Sequence, residues 1–182
     1  MRRVSPLKGM RGSCTVPGDK SISHRAALLG ALSREGMEIS GYAPGEDCGR
    51  TLACLDQLGC RVLKEGPRVH VSRGEGIREC REVLYAGNSG TSARLLCGLL
   101  AGVPGFFGIL AGDASLSSRP MDRVVAPLRS AGARIDGREG GSRLPLSIRG
   151  TSLVGGSFTL PVASAQVKTA LLLAGLSSQG SV

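Results

Sequence analysis

The sequence predicts an α/β fold built from a repeated strand–helix–strand–helix–hairpin unit. Three observations predict it. Apolar helical runs carry a shared marker in Leu28-Leu29-Gly30, Leu96-Cys97-Gly98 and Leu173-Ala174-Gly175, with glycines 98 − 30 = 68 and 175 − 98 = 77 residues apart. Second helices end alike, in Leu58-Gly59-Cys60-Arg61-Val62 and Ala131-Gly132-Ala133-Arg134-Ile135, with 132 − 59 = 73 between their glycines. The 28 glycines are scattered between periodic segments, which implies tight turns and close approaches rather than disorder. The third unit stops after its first helix, so the expectation is a fragment of a longer protein.

The elements follow in order. Cys14 to Val16 reads as a short strand, and Pro17-Gly18 breaks it before a helix through Leu32. Met37 to Tyr42 reads as a strand, and Glu46-Asp47 starts a helix through Leu58 that Gly59 ends. Arg61–Leu63 and Arg68–Ser72 flank Glu65-Gly66-Pro67 as a hairpin. Glu82 to Tyr85 is a strand running into Gly87-Asn88-Ser89-Gly90-Thr91, which opens a helix through Leu100. Phe106 to Leu110 is a strand, Asp113 to Arg119 a polar loop, and Pro120 the first turn of a helix to Ala131. Arg134–Asp136 and Leu144–Ile148 form a second hairpin, Ser157 to Pro161 a strand, and Ser164 to Leu176 a last helix.

Composition narrows the function classes. An aromatic content of 3% without Trp means a core of Leu, Val, Ala and Ile. The net charge of +9 points to anionic partners. Four of the 23 basic residues are Lys, the rest are Arg, and they are spread without aromatic interleaving, which argues against a base-stacking surface. Six cysteines contain no C-x-x-C pair, and His24 and His70 lack metal-ligand spacing, so no metal site is expected. The cysteines read as reduced, mostly buried small hydrophobes in a cytoplasmic protein. No apolar h-region follows the basic start, and no apolar segment reaches membrane-spanning length.

Pro17 to Leu32 carries the clearest chemistry. A buried helix whose first turn shows Lys20, Ser21 and Arg25 to solvent is suited to an anion, because free N–H groups and the positive dipole end add to both cations. An ordinary capped helix with two solvated cations remains open on this stretch alone. A nucleotide P-loop is excluded, since Asp19 and not Gly precedes Lys20. Two further helix starts share the character: Asn88-Ser89-Gly90-Thr91 with Arg94, and Ser164-Ala165-Gln166 with Lys168. Capping residues belong at any helix start. Three such starts, together with Ser117-Ser118-Arg119, favour one shared anion site. Lys168 reads as a surface charge and His24 as a hydrogen-bonded structural histidine.

PGDKSISHRA, GNSGTSARLL, GDASLSSRPMDRVVAPLRSAGA and ASAQVKTALLLAGL resemble the motifs of the 5-enolpyruvylshikimate-3-phosphate synthase family, in its bacterial form, over the whole chain and in order. The resemblance implies the enolpyruvyl transferase fold, whose two domains each hold three βαβαββ units about a pseudo-threefold axis. Residues 1–16 would be a strand and crossover belonging with the other domain. Residues 17–182 would be an incomplete shikimate-3-phosphate-gripping domain with its third unit truncated. The implied reaction moves the carboxyvinyl group of phosphoenolpyruvate onto the 5-hydroxyl of shikimate 3-phosphate and releases phosphate, in chorismate and aromatic amino-acid biosynthesis. It passes through a tetrahedral phospho-ketal, needs no cofactor, and involves neither nucleic acid nor membrane. The full-length form would be a monomer, and the fragment alone inactive.

Carried over by resemblance, Lys20 would touch both substrates and serve in catalysis. Ser21, Arg25, Ser164, Ala165 and Gln166 would hold shikimate 3-phosphate, Ala165 standing where family members often have Ser. Asn88, Gly90, Arg119 and Gln166 would form the phosphoenolpyruvate side, a pocket that glyphosate also occupies. The acid/base carboxylates would lie outside this chain. Three alternatives stay open. The enolpyruvyl transferase of UDP-N-acetylglucosamine opens with Ala-Lys-Asn, against Asp19-Lys20-Ser21 here, and has a Cys where none stands between Gly112 and Arg119. An RNA 3′-phosphate cyclase requires a late nucleotidylated His. The third is a catalytically dead anion-binding domain.

Overall fold

The structure, a computed structural model, describes residues 9, 11–160 and 163–178. The first unit comprises α1 (Lys20–Leu32), β1 (Met37–Ile39), α2 (Glu46–Gln57) and the hairpin β2 (Arg61–Glu65) and β3 (Arg68–Ser72). The second comprises β4 (Leu84–Tyr85), α3 (Gly90–Ala101), β5 (Phe107–Ala111), the short α4 (Ala114–Ser117), α5 (Asp122–Ser130), β6 (Arg134–Gly137), the turn α6 (Arg138–Gly141) and β7 (Arg143–Arg149). α7 (Ala165–Gly175) follows.

The two sheets share one topology. The first has the order β1-β3-β2, and the second β4-β5-β7-β6, so β4 adds a parallel edge strand to the same antiparallel trio. Their registers correspond, with Val62 opposite Val71 in one and Ile135 opposite Ile148 in the other. Period-2 alternation sets the inner faces: Leu144, Leu146 and Ile148 of β7 point inward, as do Val69 and Val71 of β3.

α3 is the central helix, with every residue from Leu95 to Ala101 buried. With no Trp to fill space, backbones approach closely. A Cβ at Gly98 would lie 2.0 Å from the Ala170 carbonyl oxygen of α7, so only glycine fits there. α2 packs between α1 and α3, and α5 between α3 and α7. Cys48, Cys54, Cys60 and Cys97 are buried, while Cys14 is exposed. Burial pushes the Cys54 and Cys97 thiols up to about 12, so these two pack as neutral hydrophobes. No helix of the described residues is long and apolar enough to cross a membrane.

Several local expectations are corrected. The marker glycines are not equivalent: Gly30 and Gly175 lie 30 − 20 = 10 and 175 − 165 = 10 residues past their helix starts, but Gly98 lies 98 − 90 = 8. Gly30 accordingly faces Val71 of β3, whereas Gly98 faces α7. Residues 11–19 form no strand, because Pro17 lacks an N–H and β1 is only three residues long. Residues 157–160 of the expected Ser157–Pro161 strand are irregular, since no described strand flanks them, and Pro161 lies outside the described residues. Instead, the Val154 N–H donates to the Ala131 carbonyl at 3.0 Å, tying this segment to the end of α5. Pro120 precedes α5, whose first residue is Asp122, and the expected loop after Asp113 contains α4. Asp113 accounts for that helix: its side chain accepts the Leu116 N–H at 2.7 Å.

Candidate active site

Each of the three first helices begins on a polar cap. Asp19 accepts the Ile22 N–H at 2.7 Å, Ser89 the Ser92 N–H at 3.2 Å, and Ser164 the Val167 N–H at 3.4 Å. These caps are satisfied within their own turns. Anion binding therefore depends on the other N–H groups and on the cations around them.

Side chains bring the three starts together. Arg25 of α1 donates through Nη1 to the Ser21 carbonyl at 2.9 Å, through Nε to Thr169 Oγ1 at 3.0 Å, and through Nη2 to the Ala165 carbonyl at 3.2 Å. Its guanidinium thus spans α1 and α7. Gln166 then joins α7 to α3: its Oε1 accepts from Arg94 Nη1 at 2.9 Å, and its Nε2 donates to Thr91 Oγ1 at 2.9 Å. Arg94 also donates to the Pro120 carbonyl at 3.1 Å. Burial and the nearby Arg119 guanidinium lower the pKa of Arg94. An anion between these two arginines relieves both effects.

Arg119 is held by a separate chain of contacts. Asp113 Oδ2 accepts from Asn88 Nδ2 at 2.8 Å, and Asn88 Oδ1 accepts from Arg119 Nη2. Arg119 also donates to Ser115 Oγ at 3.2 Å. Hydrogen bonds from the Leu116 N–H and Asn88 hold the Asp113 carboxyl below its usual range. This carboxylate orients the Asn88 amide, which in turn aims Arg119. Gly90 lies between the two cations. A Cβ added there would sit 2.7 Å from Arg94 Nη1 and 3.6 Å from Arg119 Nη1.

Lys20 stands apart from these contacts. Its ammonium pairs with the Asp47 carboxylate of α2, and more than half of the lysine side chain remains exposed. Ser21 is exposed, Ser164 half-buried, and Ala165 offers its carbonyl to Arg25. Lys168 is exposed, as expected for a surface charge. His24 is fully buried and hydrogen-bonded through Nδ1 to Thr51 Oγ1 at 2.7 Å, the structural role expected of it.

The structure brings Ser21, Arg25, Ala165 and Gln166 into one hydrogen-bonded group with Arg94, and sets Asn88 and Arg119 beside it as a second group, with Gly90 next to both and Lys20 on the α2 side. Sequence reasoning assigns no site role to Asp47, Asp113 or Thr169, and Thr91 enters only within a polar turn. Arg94 was noted only as part of a polar turn. Its spacing of four from Gly90, one helical turn, was the available signal.

Residues 4–182 match the family described as EPSP synthase (3-phosphoshikimate 1-carboxyvinyltransferase). A 3-phosphoshikimate 1-carboxyvinyltransferase of Herpetosiphon aurantiacus is 56% identical over 95% of this chain and 40% of its own length. One of Roseiflexus castenholzii is 53% identical over 98% of this chain and 42% of its own. The solved EPSP synthase of Acinetobacter baumannii superposes with a TM-score of 0.86 at 42% identity, over 93% of this chain and 39% of that one. The chain thus spans about two-fifths of the length of these relatives. It belongs to the EPSP synthase family.

Proposed function

We propose that the chain supplies the shikimate-3-phosphate-gripping side, and part of the phosphoenolpyruvate side, of a 3-phosphoshikimate 1-carboxyvinyltransferase. The observation that carries this is the joining of three helix starts, α1 to α7 through Arg25 and α7 to α3 through Gln166 and Arg94, with Arg119 held against Asn88 beside the start of α3. Two polyanions must lie side by side in this reaction. Fixed guanidinium groups and helix N-termini offset their repulsion without reorganising when they bind.

Ser21, Arg25, Ser164, Ala165 and Gln166 take shikimate 3-phosphate, the phosphate lying toward the α1–α7 junction. Gly90, Arg119 and Gln166 take phosphoenolpyruvate, Asn88 holds Arg119 in place, and Arg94 joins this set. Lys20 serves both substrates. Binding requires it to turn away from Asp47 or to carry Asp47 with it as a counter-ion. Positioning and electrostatics supply the rate, and the acid/base carboxylates come from outside this chain. Residues 17–182 are assigned to the first domain as an incomplete version of it, and the strand and crossover assigned to residues 1–16 lie largely outside the described residues. The full-length protein is a cytoplasmic monomer acting on these two small molecules.

The test is phosphate release by the full-length protein in the presence of both substrates. Release that requires both, and that falls when Arg25 or Arg119 is replaced by Ala, is the expected result. A full-length protein that binds shikimate 3-phosphate no better after Arg25 is restored from Ala counts against the assignment.

A further inference from the structure

Four buried polar side chains run between the starts of α1, α2 and α3. His24 Nδ1 is 2.7 Å from Thr51 Oγ1, which is 2.6 Å from Ser92 Oγ, which is 2.7 Å from Ser89 Oγ. Ser92 Oγ also lies 3.2 Å from the Asp47 carbonyl. All four residues are fully buried. An apolar residue at any of these places avoids the cost of burying a polar group, so simple packing does not explain them.

Hydroxyl bookkeeping gives the chain a direction. Each hydroxyl has one proton to donate. When Nδ1–H donates to Thr51, Thr51 donates to Ser92, and Ser92 donates to Ser89 or to the Asp47 carbonyl. Ser89 Oγ then remains an acceptor for the Ser92 N–H that caps α3. Nε2 is buried without a partner in either case, and the opposite direction would place an orphan N–H donor there, which is rarer in folded proteins than the bare acceptor the first direction leaves. The ring is therefore neutral, with its proton on Nδ1. Burial, with Lys20 adding to it, disfavours the charged ring in the same sense.

The ends of the chain reach the candidate site. Asp47 is the partner of Lys20, and Ser89 caps the helix that begins at Gly90. We propose that His24, Thr51 and Ser92 are positioning residues whose hydrogen-bond chain locks the start of α1 to the start of α3. It thereby sets the spacing between Lys20 with Asp47 and Gly90 with Arg119. The kinetic consequence rests on the function proposed above, but the direction of the chain does not.

Both are tested in the full-length protein. Thr51→Val removes the middle hydroxyl at nearly constant volume, and Thr51→Ser restores it. At a temperature where circular dichroism shows the variants folded, Thr51→Val is expected to raise the KM for phosphoenolpyruvate about tenfold, the scale of one lost buried hydrogen bond. Thr51→Ser is expected to stay within about twofold of the parent. A Thr51→Val protein that melts earlier but keeps the parent's kcat and both KM values overturns the positioning role. If Thr51→Val does not fold, Ser92→Ala takes its place in the same comparison. The ¹⁵N spectrum of the His24 ring is expected to show a protonated Nδ1 and a bare Nε2, and the reverse tautomer overturns the proposal. If the parent releases no phosphate, the proposed function fails while this spectrum still decides the chain's direction.

Discussion

Arg94 and Gln166 are 72 positions apart in sequence and 2.9 Å apart in space, and their hydrogen bond joins the start of α3 to the start of α7. Gln166→Ala leaves the half-buried guanidinium of Arg94 short of one acceptor, although the Pro120 carbonyl remains. The expected cost is about 1 kcal/mol of stability. In the full-length protein the KM for both substrates is expected to rise, because Gln166 touches elements on both sides of the site. Denaturant titration and steady-state kinetics measure the two effects. A rise confined to one substrate places Gln166 on that side alone.

Lys20→Ala is expected to cost far more turnover than Lys168→Ala. The proposed function sets Lys20, now paired with Asp47, against two anions in a closing cleft, where charge interactions are stronger than at an exposed surface. Lys168 is exposed and its loss should stay within about 0.5 kcal/mol, as at ordinary surface positions. Equal losses of kcat/KM from the two substitutions contradict the placement of Lys20.

At Gly90, the added methyl of Gly90→Ala meets Arg94 Nη1 before anything else. The end of that side chain can give way, so the protein should fold while the space between the two guanidinium groups narrows. Compact phosphoenolpyruvate is expected to tolerate this better than the longer glyphosate. Discrimination by one methyl-sized group is worth about 1–3 kcal/mol, a shift in selectivity rather than a switch. The inhibition constant and the KM are measured for both variants at one pH and salt. An unchanged ratio removes Gly90 from the pocket.

Stability is expected to fall on acidification partly through His24. Burial lowers its pKa from 6.5 to about 4, so between these values the unfolded chain binds a proton that the folded chain does not. The folded state loses stability as pH falls through that window, by about 3 kcal/mol from this group alone. His24→Asn should flatten the difference in unfolding free energy between pH 7 and pH 4.5. A parent and variant with the same pH dependence rule the contribution out.

Between α1 and α7 lies a groove of about 730 Å³ whose polar end holds Ser21, Arg25, Ala165 and Lys168 and whose apolar wall is Ile22, Leu29, Leu172 and Leu176. These last four are 67%, 45%, 49% and 64% exposed. α2 contacts both α1 and α3, and α5 contacts both α3 and α7, whereas no described helix covers this groove. Residues 1–182 on their own are therefore expected to self-associate through this face. Light scattering should show smaller particles for Ile22→Asp with Leu172→Asp. Unchanged particle size points to another surface.

Much of this was legible in the sequence because it is local. Asp19, Ser89 and Ser164 mark their helix starts by chemistry that acts within one turn, and Gly59 and Gly132 end the second helices at positive φ. The convergence of the three starts was inferred from their repetition. What escaped depends on packing between distant elements. Asp47 gave no sign that it would pair with Lys20, 27 positions away, since an acidic residue in a first turn is explained by the helix dipole alone. The strand expected at Ser157 failed for the converse reason: strand-like residues form a ladder only where a partner edge exists. The Leu-x-Gly markers misled by two positions, because Gly98 is required by α7 and Gly30 by β3.

The contact of Gly98 with Ala170 is repeated one turn on, where a Cβ at Gly102 would lie 2.9 Å from the Ala174 carbonyl oxygen. Two such close approaches, the second at the residue that caps α3, oppose sliding of α3 against α7. The turn at Gly90 and the turn at Gln166 therefore behave as one rigid jaw. If the complete protein closes around its ligands, that jaw is expected to move as a block.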